Sequence, residues 1–310
     1  MNFEKKFTLG LNSAVDVLEY DSFLEKYSKY IHSIYFSIPL NEKYSTRKFY
    51  SDHLKTEKEI SNFNAVIKCI KEHGIKLEVC LNVNNLSEKE LLCAFDYLED
   101  SFAFDEIVCM DKYKASILEH FWEKTIIRSF NNIDPLYNNI NLNGYSEIVL
   151  GKKYLFSKEG RDNLYNKGVK PRLLINNGCS LECVGCYGGN YCYRRFVDDS
   201  NYSVEYAYAM QSLWPSELWR LMNNDYRVAN EYLLKLSTRQ KNLNLQSILL
   251  DSYIEGNDSI IEYHTRRNSK LYFLWCGLSW FTEYYNKFIF DNIKEIKKSK
   301  NWNWYDENRE

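Results

Sequence analysis

Short apolar runs alternate along this chain with longer stretches in which apolar residues recur every third or fourth position. The first pattern predicts strands and the second amphipathic helices. Strands are expected at Phe7–Asn12, Ser33–Ile38, Lys76–Val83, Glu106–Met110, Thr125–Phe130, Glu147–Leu150, Arg172–Asn176 and Tyr232–Ser237. A helix expected over Val15–Tyr30 carries Val15, Leu18, Phe23, Leu24 and Tyr27 as its apolar residues. The next presents Ile60, Phe63, Val66, Ile67 and Ile70 and ends at Gly74. Ser87 and Glu90 form a capping box for a third. Further helices are expected over Ala115–Trp122, up to Lys167, over Ser216–Met222 and over Gln246–Tyr253.

Strands separated by helices in this order have one simple closed arrangement. It is an α/β fold, a TIM-type (β/α)8 barrel over residues 1–255. An open, doubly wound sheet is the alternative. Residues 256–310 change character, with an aromatic stretch over Tyr272–Phe290 and a charged tail, and are read as a C-terminal helical extension.

Composition narrows the picture. Of 310 residues, 45% are hydrophobic, enough to bury a sizeable core. Lysine and arginine total 40 against 42 acids, a balance with no strong nucleic-acid signal. The start MNFEKKFTLGLNS lacks an apolar signal core, and the apolar stretch Leu271–Trp280 is too short to cross a bilayer. The expectation is a cytoplasmic protein with no membrane partner. Disulfides are rare in that compartment, so nine cysteines point to metal or catalysis.

Four of those cysteines crowd into one segment. Cys179, Cys183, Cys186 and Cys192 follow a C-x3-C-x2-C-x5-C spacing in the loop 178–192, directly after the seventh expected strand. Close spacing lets one loop turn several thiolates toward one centre, and Gly178, Gly185, Gly188 and Gly189 supply the backbone freedom. Soft thiolates suit iron–sulfur clusters and zinc. Structural zinc sites usually show two such pairs with a spacer, and only one is present. A strand's carboxyl end is also the active face of a parallel barrel. These residues therefore read as ligands of a cluster that faces substrate.

Two families resemble this sequence. The run Cys179-Ser180-Leu181-Glu182-Cys183-Val184-Gly185-Cys186-Tyr187, followed by Gly188-Gly189, resembles the CxxxCxxC loop of the radical S-adenosylmethionine superfamily. That resemblance implies a 4Fe–4S cluster on three cysteines, with S-adenosylmethionine as cofactor. That family's loop follows its first strand, whereas here it comes late. Over residues 7–255 the chain also resembles the collagenase-like "peptidase" family, which includes anaerobic hydroxylation proteins. The likeness rests on Glu147–Gly151, on Arg172-Leu173-Leu174-Ile175-Asn176-Asn177-Gly178-Cys179, and on Lys235-Leu236-Ser237-Thr238-Arg239. It implies a TIM barrel with a 4Fe–4S centre after a late strand, an electron donor as partner, and oxygen-independent modification of a small or polymer-borne polar substrate. No protease constellation accompanies the likeness. The remaining alternative is a non-catalytic, metal-stapled binding module.

Other residues at strand ends join the candidate site. Asn12, Asn82, Asn131, Asn132, Asn176 and Asn177 would offer neutral donors and acceptors to a polar ligand. Lys235, Ser237 and Arg239 alternate along one face, and Arg239 and Lys235 would hold an anionic group. Arg128, and after the second strand Arg47, could join them. Cys80 and Cys109 are expected in the core, or as a distant fourth ligand. Cys69, Cys93 and Cys276 are read as packing. The histidines show no HxxxH or HExxH spacing, and none is assigned to a metal.

Overall fold

The computed structural model describes residues 1–11, 15–39, 56–81, 86–128, 141–150, 158–176, 213–236 and 243–259. Eight parallel strands close into a barrel in sequence order: β1 (Phe7–Gly10), β2 (Ile31–Ser37), β3 (Lys76–Leu81), β4 (Glu106–Cys109), β5 (Thr125–Arg128), β6 (Glu147–Leu150), β7 (Lys170–Leu174) and β8 (Leu233–Lys235). Closure comes from β1 and β8, which set Phe7 beside Leu234 and Thr8 beside Lys235. The (β/α)8 expectation is met.

The described helices are α1 (Val17–Tyr27), α2 (Glu57–Glu72), α3 (Glu88–Ser101), α4 (Lys114–His120), α5 (Lys158–Asn166), α6 (Pro215–Asn224), α7 (Tyr226–Asn230) and α8 (Leu243–Glu255). Their starts are written in the sequence. Thr56 with Glu59, and Ser87 with Glu90, form reciprocal capping boxes at α2 and α3. At α6, Pro215 takes the first helical position and Glu217 accepts the Trp214 N–H at 2.7 Å. Asp225 caps α7 and also receives Arg161 of α5 at 2.5 Å, while Arg227 meets Asp162 at 2.6 Å. These two ion pairs tie α5 to α7.

Alternation along each strand sorts the core into two parts. Outward residues such as Ile34, Phe36, Leu77, Val79, Ile107, Ile148, Leu173 and Leu234 pack beneath the helices in one large cluster. Phe36, Phe63 and Phe102 meet there edge to face, with centroids 5.5–5.8 Å apart. Inward residues Tyr35, Cys80, Val108, Ile127, Val149 and Leu174 form a separate apolar ring inside the barrel. Two expected apolar contacts differ: Leu18 is 74% exposed and Ile60 is 43% exposed, and Tyr20 fills the α1 interface in place of Leu18.

The loop 178–192 with its cysteines, and the extension from residue 260 onward, lie outside the described residues. Among the described residues no helix is long and apolar enough to cross a membrane.

Candidate active site

Six strands place a polar or charged residue inside the barrel two positions before a member of the apolar ring. They are Ser33 before Tyr35, Glu78 before Cys80, Glu106 before Val108, Thr125 before Ile127, Glu147 before Val149 and Arg172 before Leu174. The barrel therefore holds a charged layer near its amino end and an apolar ring nearer its mouth.

Arg172 is the hub of the charged layer. Its guanidinium contacts Glu78, meets Glu106 at 3.0 Å and meets Glu147 at 2.8 Å. Lys235 reaches the other oxygen of Glu78 at 2.5 Å, and its ammonium also lies 4.0 Å from the Tyr35 ring centroid. Ser33 donates to Glu78 at 3.2 Å. At the amino end, His32 and Lys76 meet Glu106 at 3.0 and 3.1 Å. Three carboxylates face Arg172, Lys235 and Lys76, so the layer closes without excess charge.

Burial by itself would raise the Glu78 carboxyl, but the charges of Lys235 and Arg172 outweigh it and hold the group below the usual carboxylate range. For Glu106, burial is outweighed by the His32 hydrogen bond and the Arg172 charge, and the carboxyl is likewise held low. Burial opposes the Arg172 charge, yet its carboxylates raise it further above its ordinary value. Arg172, Glu78 and Glu106 are essentially without solvent contact. The layer is a fixed ionic frame beneath the site.

The mouth is built from the carboxyl ends of the strands. Asn176, just beyond β7, is fully buried, and Ser37 ends β2 at 7% exposure. Tyr35 donates its hydroxyl to the Leu236 carbonyl at 2.7 Å, bracing β8 across the barrel. The Ile175 carbonyl accepts the Leu213 N–H at 3.0 Å, and the Ile175 N–H bonds to the Lys235 carbonyl at 3.0 Å. The segment bearing Cys179, Cys183, Cys186 and Cys192 is thus the connection from β7 to α6, and both its ends are anchored at the mouth.

Of the residues expected to form the site, three are described. Lys235 lies inside the barrel at 7% exposure, with its charge already answered by Glu78, so it does not stand free at the mouth. Arg128 does end β5 at the carboxyl face, but it shares the outward parity of Ile126. Asp111 grips it at 3.3 and 2.8 Å. Tyr145 donates to the same Asp111 at 2.9 Å. Burial works against the Asp111 charge, but Arg128 prevails and keeps that carboxyl low. Asn176 stands where the strand pattern puts it. Asn12, Asn82, Asn131, Asn177 and Arg239 lie outside the described residues, as do Arg47 and Asn132.

Cys80 and Cys109 are core, as expected. Cys80 belongs to the inner ring, and burial pushes the outward Cys109 thiol up to about 12.

The charged layer is not a strand-end feature. Its signal lies in the strands themselves: KLEVCL, EIVC, EIVL and KPRLL each carry a charge inside or at the head of an apolar run. A charge so placed, repeated on β3, β4, β6 and β7, marks an interior network.

No family model matches the chain, and no curated protein matches it. It is similar to a solved structure described as a GH113 β-1,4-mannanase, at 12% identity and a TM-score of 0.38, over 76% of this chain and 88% of that one.

Proposed function

We propose that this protein is an iron–sulfur-dependent redox enzyme whose cluster is held by Cys179, Cys183, Cys186 and Cys192 at the barrel mouth. One observation carries the reading. The cysteine segment leaves the barrel after Asn176 and returns at Leu213, beside Ile175, on the carboxyl face where barrel enzymes do their chemistry. The donor set suits the group, since closely spaced thiolates are the usual ligands of iron–sulfur clusters. When bound, a 4Fe–4S cluster supplies one-electron transfer, fed by an external electron donor.

The chain's own residues supply the frame. The ionic layer and apolar ring make a stiff, dry floor, so that polar groups above it keep their positions. Asn176 brings an amide to the base of the cysteine segment. In this reading Arg239 holds an anionic part of a small or polymer-borne substrate, while Lys235, paired with Glu78, serves the floor beneath it. The transformation is an oxygen-independent hydroxylation or a related modification.

The spacing of Cys179, Cys183 and Cys186 supports a second reading, a radical S-adenosylmethionine enzyme in which Cys192 is not a ligand. Anaerobic purification with iron and sulfide analysis and paramagnetic resonance tests both. Iron and sulfide are expected in the purified protein and should be lost in Cys183→Ala, with the far-ultraviolet spectrum of the barrel preserved. Loading unchanged in Cys192→Ala, with cleavage of added S-adenosylmethionine, favours the second reading. Zinc in place of iron, with no sulfide, sinks both and leaves a metal-stapled binding module.

A further inference from the structure

Cys69, His73 and Asp21 meet on the outside of the barrel, between α1 and α2. Cys69 and His73 stand four residues apart and so share one side of α2, and Asp21 comes from α1. His73 Nε2 lies 2.7 Å from Asp21 Oδ1, and the Cys69 thiol donates to the same oxygen at 3.4 Å. One ligand atom from each residue lies within 4.8 Å of the other two. Cys69 is buried, His73 half-buried and Asp21 exposed, so the cluster meets solvent at Asp21.

The frame is stiff. The His73 N–H bonds to the Cys69 carbonyl at 3.2 Å, and Gly74 (φ 65°) closes the helix with its N–H on the Lys71 carbonyl at 2.9 Å.

This is not a nucleophile's arrangement. The thiol faces the Asp21 carboxylate and not the imidazole, so the cysteine–histidine pairing of an activated nucleophile is not formed. A cation that prefers sulfur can replace the thiol proton instead.

We propose that Asp21, Cys69 and His73 form a three-ligand site for zinc or a divalent ion of its class, with water in the fourth position. One sulfur, one nitrogen and one carboxylate oxygen make a donor set that zinc takes tetrahedrally. On binding, the thiol proton leaves to solvent and the imidazole offers its Nε2 lone pair, its ring proton resting on Nδ1. Two anionic ligands then balance the dication, which suits a half-buried position. Seating the ion requires the Asp21–His73 contact to widen to about 3.3 Å, the tetrahedral edge at ordinary zinc bond lengths. Rotation of the exposed Asp21 side chain allows it. Magnesium and calcium, which take oxygen ligands, do not fit. The site is independent of the iron–sulfur reading.

The test uses the full chain with Cys179, Cys183, Cys186 and Cys192 all replaced by serine, stripped by chelator and titrated with Zn2+ and with Co2+ as the spectroscopic probe. One equivalent is expected, with a thiolate-to-cobalt charge-transfer band, tetrahedral d–d bands and a raised thermal midpoint. Asp21→Asn and His73→Ala should each weaken binding at least 10-fold, on the order of what even an outer ligand partner contributes. Cys69→Ala should abolish the charge-transfer band. No band and no shift in midpoint for the folded serine variant overturns the proposal. If that variant does not fold, zinc stoichiometry of the otherwise unaltered chain decides: the double variant Cys69→Ala/His73→Ala must hold one equivalent less, and equal loading overturns the site.

Discussion

At the scale of the residue, Arg172 is the most exposed to failure. Its guanidinium is wholly buried among three carboxylates, and two of them, Glu78 and Glu106, have essentially no solvent of their own. Arg172→Met should destabilise the barrel by about 3–5 kcal/mol, read from urea unfolding, because it strands buried negative charge. Acid acts on the same layer. Glu78 and Glu106 titrate lower in the fold than the roughly 4.3 of a free glutamate. Their contribution is therefore complete at neutral pH and is lost as pH falls below about 4. A titration of the unfolding free energy should show that decline, and Glu78→Gln should flatten it.

Lys6 presents the opposite case. Its ammonium is buried with no hydrogen-bond partner among the described residues, and burial, then the neighbouring Lys170, lowers it to about 8. Lys6→Met should stabilise the protein at pH 7 by about 1–2 kcal/mol, the cost of an unsatisfied buried polar group. The folded amine titrates below the roughly 10.4 of the unfolded one, so the wild type gains stability as pH rises from about 8. The advantage of the methionine variant should shrink over that range, and an advantage that stays constant would refute this account.

At the scale of the element, the helix ends can be compared in pairs. Gly74 and Gly256 both close helices with positive φ, 65° and 64°. A Cβ at Gly74 meets open space, whereas at Gly256 it would lie 2.6 Å from the Trp219 ring. Gly74→Ala should cost about 1–2 kcal/mol from backbone strain alone. Gly256→Ala should cost more and shift Trp219 fluorescence.

Most elements could be read because their signals are local. Glu147–Leu150 falls where the apolar run puts it, and Ser87 with Glu90 marks α3 to the residue. The short helix Tyr226–Asn230 was missed, since its cap, Asp225, works through tertiary ion pairing as much as through sequence. Leu18 was misplaced because a helical stripe does not say where its edge lies. Arg128 and Lys235 were read as mouth cations because strand ends are visible in a sequence, while the carboxylates that engage them, Asp111 and Glu78, belong to other elements. The Asp21–Cys69–His73 cluster has no sequence signature, because it joins a cysteine and a histidine four residues apart to an aspartate on another helix.

At the scale of the whole molecule, the packed floor of the barrel lies apart from the end at which the β7–α6 connection leaves and rejoins it. The ionic layer and the apolar ring occupy the amino and middle levels of the barrel, below the carboxyl ends of the strands. Ligand changes in the β7–α6 connection should therefore alter iron content while leaving the unfolding midpoint of the barrel close to that of the parent protein, and a large common loss of both would contradict this division. The closing pair of strands has a further effect during synthesis. Until Lys235 clears the ribosome, Thr8 has no neighbour on one side, and β1 and β7 both offer raw hydrogen-bonding edges. A nascent chain halted before that point is an open, sticky ribbon, vulnerable to self-association and in need of a chaperone's shelter.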